Sequence, residues 1–130
     1  MASKYVDVNS IIQVIGCLFN NPYLFDANDK YSLSTEDFPD AFHKIVFGSL
    51  YKIHELGAKE ITLLSIDDFL KSRPKSKGTF DQHKGDEWIT KASEVSSLST
   101  FDYYYGRLKK MTLLRAFDDI GVRPDRKSVV

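Results

Sequence analysis

Residues 37–57 read DFPDAFHKIVFGSLYKIHELG, and this stretch decides the fold class. Its apolar side chains return at intervals of three or four residues, which is the spacing of one face of an α-helix. Pro39 suits the first turn, Asp37 is the candidate N-cap, and Gly57 is placed to end the helix in the left-handed conformation. The stretch therefore predicts an amphipathic helix that packs on a core. The residues that follow this helical spacing are Phe42, Ile45, Val46, Ser49, Leu50, Ile53 and Leu56.

Helical spacing recurs on both sides of this stretch. The predicted elements are a helix that starts at Asn9 or Ser10 and stops before Pro22, a turn at 23–25, a short helix opened by Ser65 and Asp68 and ended by Pro74, a helix opening at Gly85 or Asp86, and a last helix from about Phe101 to Ile120. The strand signal is one brief extended connection at 61–64. We therefore predict an all-α fold of about five to six helices, in which a small bundle is followed by a C-terminal antiparallel helical hairpin.

The chain divides by charge, although its 18 basic and 18 acidic residues give a net charge of zero. Residues 1–70 hold 5 basic and 10 acidic side chains, whereas residues 71–130 hold 13 basic and 8 acidic ones. Residues 71–84 are rich in lysine and poor in apolar side chains, which predicts an exposed basic loop. We predict that this loop closes a globular helical subdomain, 1–84. A hairpin at 85–121 and the start of a linker or flexible tail at 122–130 follow it.

Composition narrows the class of protein. A chain of 130 residues with 42% hydrophobic residues is long enough for an unassisted core. The single cysteine, Cys17, excludes an internal disulfide, and in an apolar helix it is expected to fill the core. The longest apolar run, Ile11–Phe19, falls well short of the roughly 20 residues that a membrane helix needs. A cytoplasmic protein without a membrane segment is expected.

The motifs of enzyme sites are missing from the sequence. It contains no Gly-x-x-x-x-Gly-Lys-Ser/Thr loop for a nucleotide phosphate and no Gly-x-Ser-x-Gly turn for a nucleophilic serine. His43 and His54 are separated by three helical turns, roughly 16 Å, which is too far to share a metal ion. We therefore expect no catalytic residue, no metal site and no cofactor in this chain.

The last predicted helix carries more apolar residues than one face needs. This surplus predicts an interface for self-association or for a partner. The side chains proposed for that interface are Phe101, Tyr104, Tyr105, Leu108 and Met111. A second interpretation is nucleic-acid binding, which the zero net charge weakens. The side chains that would contact phosphates are Lys75, Lys77, Arg107, Lys109 and Lys110.

An ordered set of residues along the chain resembles one known family, the N-terminal domain of DnaB-type replicative helicases. The set comprises the segment 13–18, QVIGCL; the pattern Asp37, Phe38, His43, Lys44, Ile45, Phe47; then Leu56, Gly57, Ile61, Leu64 and Leu70; Trp88 and Ile89; and Tyr104, Leu108, Leu113, Leu114 and Arg115. The sequence departs from the family at Cys17, at 84–86, where Lys-Gly-Asp replaces a double glycine, at the tyrosine run 103–105 and at the basic pair 109–110.

The resemblance implies a non-catalytic oligomerisation and docking domain. In that family, a helical globule and a hairpin form homodimers, three dimers build the collar of a hexameric ring, and primase or a helicase loader binds this tier. The ATPase lies in a separate C-terminal domain. The chain would then be a helicase fragment or a stand-alone relative from a phage. The alternatives are the helicase-binding domain of a primase, or a stand-alone helicase-interacting or DNA-binding helical module.

Overall fold

The computed structural model describes residues 5–119, and all regular structure in that range is helical. The α-helices are α1 (Val8–Asn20), α2 (Ala41–Glu55), α3 (Leu63–Leu70), α4 (Pro74–Gln82), α5 (Gly85–Val95) and α6 (Phe101–Asp119). Short 3₁₀ turns lie at Pro22–Asp26, Thr35–Asp37 and Leu98–Thr100. The predicted all-α class is confirmed for this part of the chain.

Helix α1 lies at the centre of the fold, because α5 and α6 both pack against it. It is buried on most of its surface, and its N-cap is Asp7, two residues before the predicted start. Gly16 allows the close approach of α5: a Cβ atom at this position would lie 2.2 Å from the carbonyl oxygen of Ala92. The Gln13 side chain donates a hydrogen bond to the carbonyl of Val95 at 2.9 Å and so binds the end of α5 to α1.

The core is built from aliphatic side chains of α1 and α2 and from aromatic rings of almost every element. Phe38, Phe80 and Phe101 are its largest fully buried side chains. Phe38 stacks on Phe47 of α2 with 4.7 Å between ring centroids. Full burial of one such side chain contributes about 2 kcal/mol relative to exposure.

Two predicted helix starts were wrong because a neighbouring side chain caps the helix. Asp40, not Asp37, is the N-cap of α2 and accepts a hydrogen bond from the Phe42 amide at 2.9 Å. Thr62 caps α3 in a reciprocal capping box with Ser65, so α3 begins within the predicted extended connection. The expected end of α2 is confirmed, since Gly57 has a φ of 110°.

The predicted basic loop at 71–84 is mostly helix. Pro74 opens α4 instead of ending α3, which agrees with the preference of proline for the first helical turn. Phe80 is the one buried side chain of this nine-residue helix. Lys77 pairs with Asp81 one turn later and with Asp67 of α3. One buried apolar residue gives no repeat at helical spacing. For this reason α4 could not be predicted from the pattern of apolar residues.

The C-terminal third packs against α1 through both α5 and α6. Ile89 and Ala92 of α5 and Phe101 and Leu108 of α6 are buried. The division of the chain at residue 84 into a globule and a hairpin stays a prediction. Ile120, the rest of the hairpin to residue 121 and the linker or tail at 122–130 lie outside the described residues.

Candidate functional site

The inner face of α6 begins as an aromatic contact. Phe101 and Tyr105 both pack around Tyr31 from the loop after α1, with ring centroids 4.8 and 5.0 Å from its ring. The Tyr105 hydroxyl accepts a hydrogen bond from the Ser32 amide at 2.8 Å. The first half of α6 is therefore held by packing of aromatic rings, and the tyrosine hydroxyl at the edge of this contact forms a hydrogen bond.

The second half of α6 turns polar side chains inward. Asp37, which is completely buried, accepts hydrogen bonds from Lys109 at 3.1 Å, from the Thr112 hydroxyl at 2.6 Å and from the Ser34 amide at 3.0 Å. A buried carboxylate is stable only when its oxygens are paired in this way. Asp37 thus fixes the register between α6 and the turn at Thr35–Asp37.

Arg115 extends this polar contact to the segment before α1 and to the turn at Thr35–Asp37. Its guanidinium donates to the carbonyl of Tyr5 at 2.7 Å and to the carbonyl of Glu36 at 2.9 Å. Burial lowers the pKa of Arg115 from its ordinary value, although nearby Asp37 and Asp119 act in the opposite direction. The residue therefore joins two separate segments of backbone to α6.

An ion pair on the flank of α6 binds this helix to the start of α1. The Arg107 guanidinium lies 2.6 Å from the Asp7 carboxylate, which also caps α1. Burial raises the pKa of Asp7, but hydrogen bonds from Arg107 and from Ser10 outweigh it and hold the pKa below its usual value. The charged form of Asp7 is therefore favoured in the folded protein.

The outer face of α6 exposes two large hydrophobic side chains, one in each half of the helix. Tyr103 is 61% exposed and Leu113 is 54% exposed. Gly106 and Lys110 lie between them on the same side of the helix, and no atom lies within 4 Å of the place that a Cβ of Gly106 would occupy. Leu114 and Phe117 are partly buried at the end of this face. We call the surface formed by Tyr103, Gly106, Lys110, Leu113 and Phe117 the outer α6 face.

Comparison with known proteins assigns the chain to a family. Residues 7–110 match the family model described as the DnaB-like helicase N-terminal domain. The chain belongs to this family. A SPbeta prophage-derived uncharacterised protein, YorI of Bacillus subtilis strain 168, is 36% identical over 115 residues, or 88% of this chain. The chain spans about a quarter of that relative, since the match covers 23% of it. No solved structure matches the chain significantly.

Membership of the DnaB-like N-terminal domain family confirms the resemblance predicted from the ordered residue set. This domain is the non-catalytic part of the helicase. The prophage origin of the relative agrees with the predicted link to phages. The matched range ends within α6, so it includes Tyr103 and Gly106 but not Leu113.

The five side chains predicted for the interface of this DnaB-like domain do not share one surface. Phe101 and Leu108 are each 1% exposed and belong to the core of the chain, so they cannot contact a partner without unfolding. Tyr104, Tyr105 and Met111 are partly buried. The apolar side chains of α6 do lie on more than one face, and the interface inferred from them stays a prediction. The choice of face was wrong for Phe101 and Leu108, because a helical pattern does not reveal which face meets the core.

The five predicted phosphate contacts are also dispersed. Lys77, Arg107 and Lys109 are bound to Asp67 and Asp81, to Asp7 and to Asp37, respectively. Hydrogen bonds to both aspartates raise the pKa of Lys77 to about 12. Lys75 in α4 and Lys110 in α6 are exposed on different helices. The structure does not bring these cations together into one phosphate-binding surface.

The histidines His43 and His54 and the single cysteine contact neighbouring side chains of the fold. His43 packs 5.1 Å from the Trp88 ring, whereas His54 binds the Asp26 carboxylate at 2.9 Å. Burial raises the pKa of the Cys17 thiol, and this side chain lies in the core. No group of three or more His, Cys, Asp and Glu side chains within residues 5–119 is arranged to hold a metal ion. Of the helices in the same range, none is both long and apolar enough to cross a membrane.

Sequence reasoning missed Asp37 as the residue that orients the candidate surface. Its partners Lys109 and Thr112 lie more than 70 positions further along the chain, with separations of 72 and 75 residues. The signal that could have found it is an acidic residue between Glu36 and the buried Phe38, in a segment with no basic neighbour before Lys44. Such a carboxylate needs a distant cation if it is buried.

Proposed function

We propose that this chain is the N-terminal oligomerisation and partner-docking domain of a phage-type replicative DNA helicase. In this proposal, copies associate as homodimers that assemble into the collar of a hexameric ring, which binds primase or a helicase loader. The activity of the whole protein, ATP-dependent unwinding of DNA, would reside outside these 130 residues. As a binding domain, the chain would need no cofactor of its own.

The outer α6 face carries the proposal of self-association. Exposed Tyr103 and Leu113 place apolar surface in water, while the polar residues of the same helix satisfy a buried carboxylate inside. Contact of these apolar side chains with water has an unfavourable free energy, which is removed when a second surface covers them. The open space at Gly106 would let another helix approach closely, because no side chain separates the two backbones there.

The experiment is the mass of the intact chain in solution over a series of concentrations, measured by light scattering. We expect wild type to form dimers or larger assemblies, and Tyr103→Asp combined with Leu113→Asp to be monomeric. An aspartate buried in an apolar contact loses its hydration without gaining a partner. Substitution of Leu108 is unsuitable for this test, because its loss would destabilise the core.

The matched control introduces two aspartates at exposed apolar residues outside α6. Leu56 and Leu64 are exposed outside α6, so Leu56→Asp with Leu64→Asp should leave the mass of the assembly unchanged. Circular dichroism would verify that both double variants remain helical. Equal masses for wild type and a folded Tyr103→Asp, Leu113→Asp variant would refute the role of the outer α6 face.

A further inference from the structure

Two surface grooves flank one side of α2. Lys44, Gly48 and Lys52 follow each other along this side at intervals of one helical turn. The first groove, about 450 Å³, separates α2 from residues 28–35. The second, about 310 Å³, separates α2 from the corner where α3 meets α4. Gly48 and Lys52 line both grooves, and we call the combined surface the α2 saddle.

The two halves of the α2 saddle differ in chemistry. The first groove is lined by the rings of Phe47 and Tyr51, among other side chains. The second contains three cations, Lys44, Lys52 and Arg73. Among the described residues, no carboxylate lines either groove. An occupant that fits both halves combines apolar side chains with negative charge.

Two of the three cations have no carboxylate partner within residues 5–119. Arg73 donates to the carbonyl of Phe69 at 3.1 Å and lies over its ring at 4.0 Å. Lys44 donates to the carbonyl of Thr35 at 2.8 Å. Lys52, in contrast, pairs with Glu55 at 3.1 Å. Lys44 and Arg73 therefore keep a full positive charge that a bound carboxylate could neutralise.

Gly48 lies inside α2, where glycine is the least favourable residue apart from proline. The packing of this chain does not require it, since no atom lies within 4 Å of the position of a Cβ. The missing side chain lowers the surface between the two grooves. A lowered helix surface is useful when a second backbone must cross it closely.

We propose that the α2 saddle docks an acidic amphipathic segment of a protein partner. Its apolar side chains enter the groove beside Phe47 and Tyr51, its backbone crosses Gly48, and its carboxylates meet Lys44 and Arg73. This inference rests on the proposed partner-docking function and adds to it the place of docking and the chemistry of the partner.

The same contacts disfavour two other occupants. The guanidinium of Arg73 covers Phe69, so this ring does not offer a free face on which a nucleic-acid base could stack. A second copy of the chain presents an acidic surface on α5, where Asp86, Glu87 and Glu94 line a small groove with Thr90 and Lys91. That surface could meet the cations, but it contains no apolar side chain for the other groove.

The probe is a display library of random peptides long enough to form several helical turns, selected on the immobilised intact chain. We expect the enriched peptides to be net acidic and to repeat apolar residues every three or four positions. Their binding should weaken about tenfold with Gly48→Gln, because a long side chain would fill the crossing point. It should also weaken with Lys44→Glu combined with Arg73→Glu.

Gly78→Gln is the matched control. Gly78 is another helical glycine with open space at its Cβ position, and it lines neither groove. Both glutamine variants should unfold about 3 °C higher than wild type, because glutamine favours helix more than glycine does. If Gly48→Gln weakens binding and Gly78→Gln does not, the loss is caused by the blocked crossing point and not by a loss of folding.

Several outcomes would overturn the inference. These are enriched peptides that are neutral or basic, equal binding by wild type and Gly48→Gln, or no enriched peptide at all. A labelled oligothymidylate that binds wild type and is lost with Gly48→Gln would assign the saddle to nucleic acid. Self-association that depends on Gly48 would assign it to a second copy. If peptide binding fails these tests while the chain still assembles through the outer α6 face, the docking site is refuted but the proposed collar function is not.

Discussion

The two faces of α6 reverse the arrangement that is typical of a surface helix. Over its second half, Lys109, Thr112 and Arg115 turn inward to a buried carboxylate and to backbone carbonyls, whereas Leu113 turns to solvent. In the first half, Phe101 and Leu108 pack inward as expected. Burial in α6 therefore depends on the partners available on the neighbouring element and not on hydrophobicity alone. Leu113, which this contact leaves outside, belongs to the surface proposed for self-association.

The largest effect should separate two leucines of this one helix. Leu108→Ala removes a fully buried side chain and should lower the free energy of unfolding by about 4 kcal/mol. Leu113→Ala should change it by less than about 0.5 kcal/mol at concentrations where the chain is monomeric. Urea unfolding of both variants gives the comparison. Equal costs for the two substitutions would mean that the assignment of inner and outer faces is wrong.

The polar contact of the inner face is tested by Asp37→Ala. This change removes the carboxylate that accepts hydrogen bonds from Lys109, Thr112 and the Ser34 amide. Lys109 and Thr112 also donate to the carbonyls of Ser32 and Leu108, so the main losses are the ion pair of Lys109 and the acceptor of the Ser34 amide. We expect a loss of about 3 kcal/mol of unfolding free energy, measured by urea denaturation.

The control for Asp37 is Asp29→Ala in an exposed loop. Asp29 forms none of the ion pairs found among residues 5–119, so its removal should change the free energy of unfolding by less than about 0.5 kcal/mol. If Asp37→Ala were as harmless as Asp29→Ala, the polar contact would not hold α6.

The smallest effect concerns acid sensitivity on the flank of α6. The folded state lowers the pKa of Asp7, so the ion pair with Arg107 stabilises the fold above the ordinary aspartate pKa of about 3.9. That contribution is lost as pH falls through the lowered pKa. The difference in unfolding free energy between wild type and Arg107→Gln should therefore be constant near neutral pH and shrink below pH 4, which is about the ordinary value.

Thermal unfolding monitored across the acid range would measure that difference. Lys110→Gln is a suitable control, because Lys110 is exposed on the outer α6 face and should give no pH-dependent difference. A gap between wild type and Arg107→Gln that widens in acid would contradict the direction of the pKa shift.

Much of the fold was predictable from local patterns, and the reasons are specific. Helix α2 was found because its buried residues repeat at helical spacing and Gly57 ends it at positive φ. Helix α4 was missed because Phe80 alone anchors it. The caps of α2 and α3 were misplaced, since Asp37 and Asp40, or Thr62 and Ser65, offer the same capping chemistry within three residues.

The candidate site was predictable only in part. The excess of apolar residues in α6 indicated an interface, and the outer α6 face still depends on that observation. The members of the face could not be assigned, because Tyr31 and Asp37, which determine the inner face, lie 70 or more residues earlier. The α2 saddle left no sequence signal apart from a glycine at an unfavourable helical position.

By itself, the sequence determined the all-α class, the positions of most helices and the family, because these depend on local propensity and on an ordered set of residues along the chain. Only the tertiary structure decided that Phe101 and Leu108 lie in the core while Tyr103 and Leu113 lie outside. It also showed that Lys77, Arg107 and Lys109 are bound to separate carboxylates. The physical reason is that the cost of burying a charge or exposing an apolar side chain depends on the groups brought to it from distant parts of the chain.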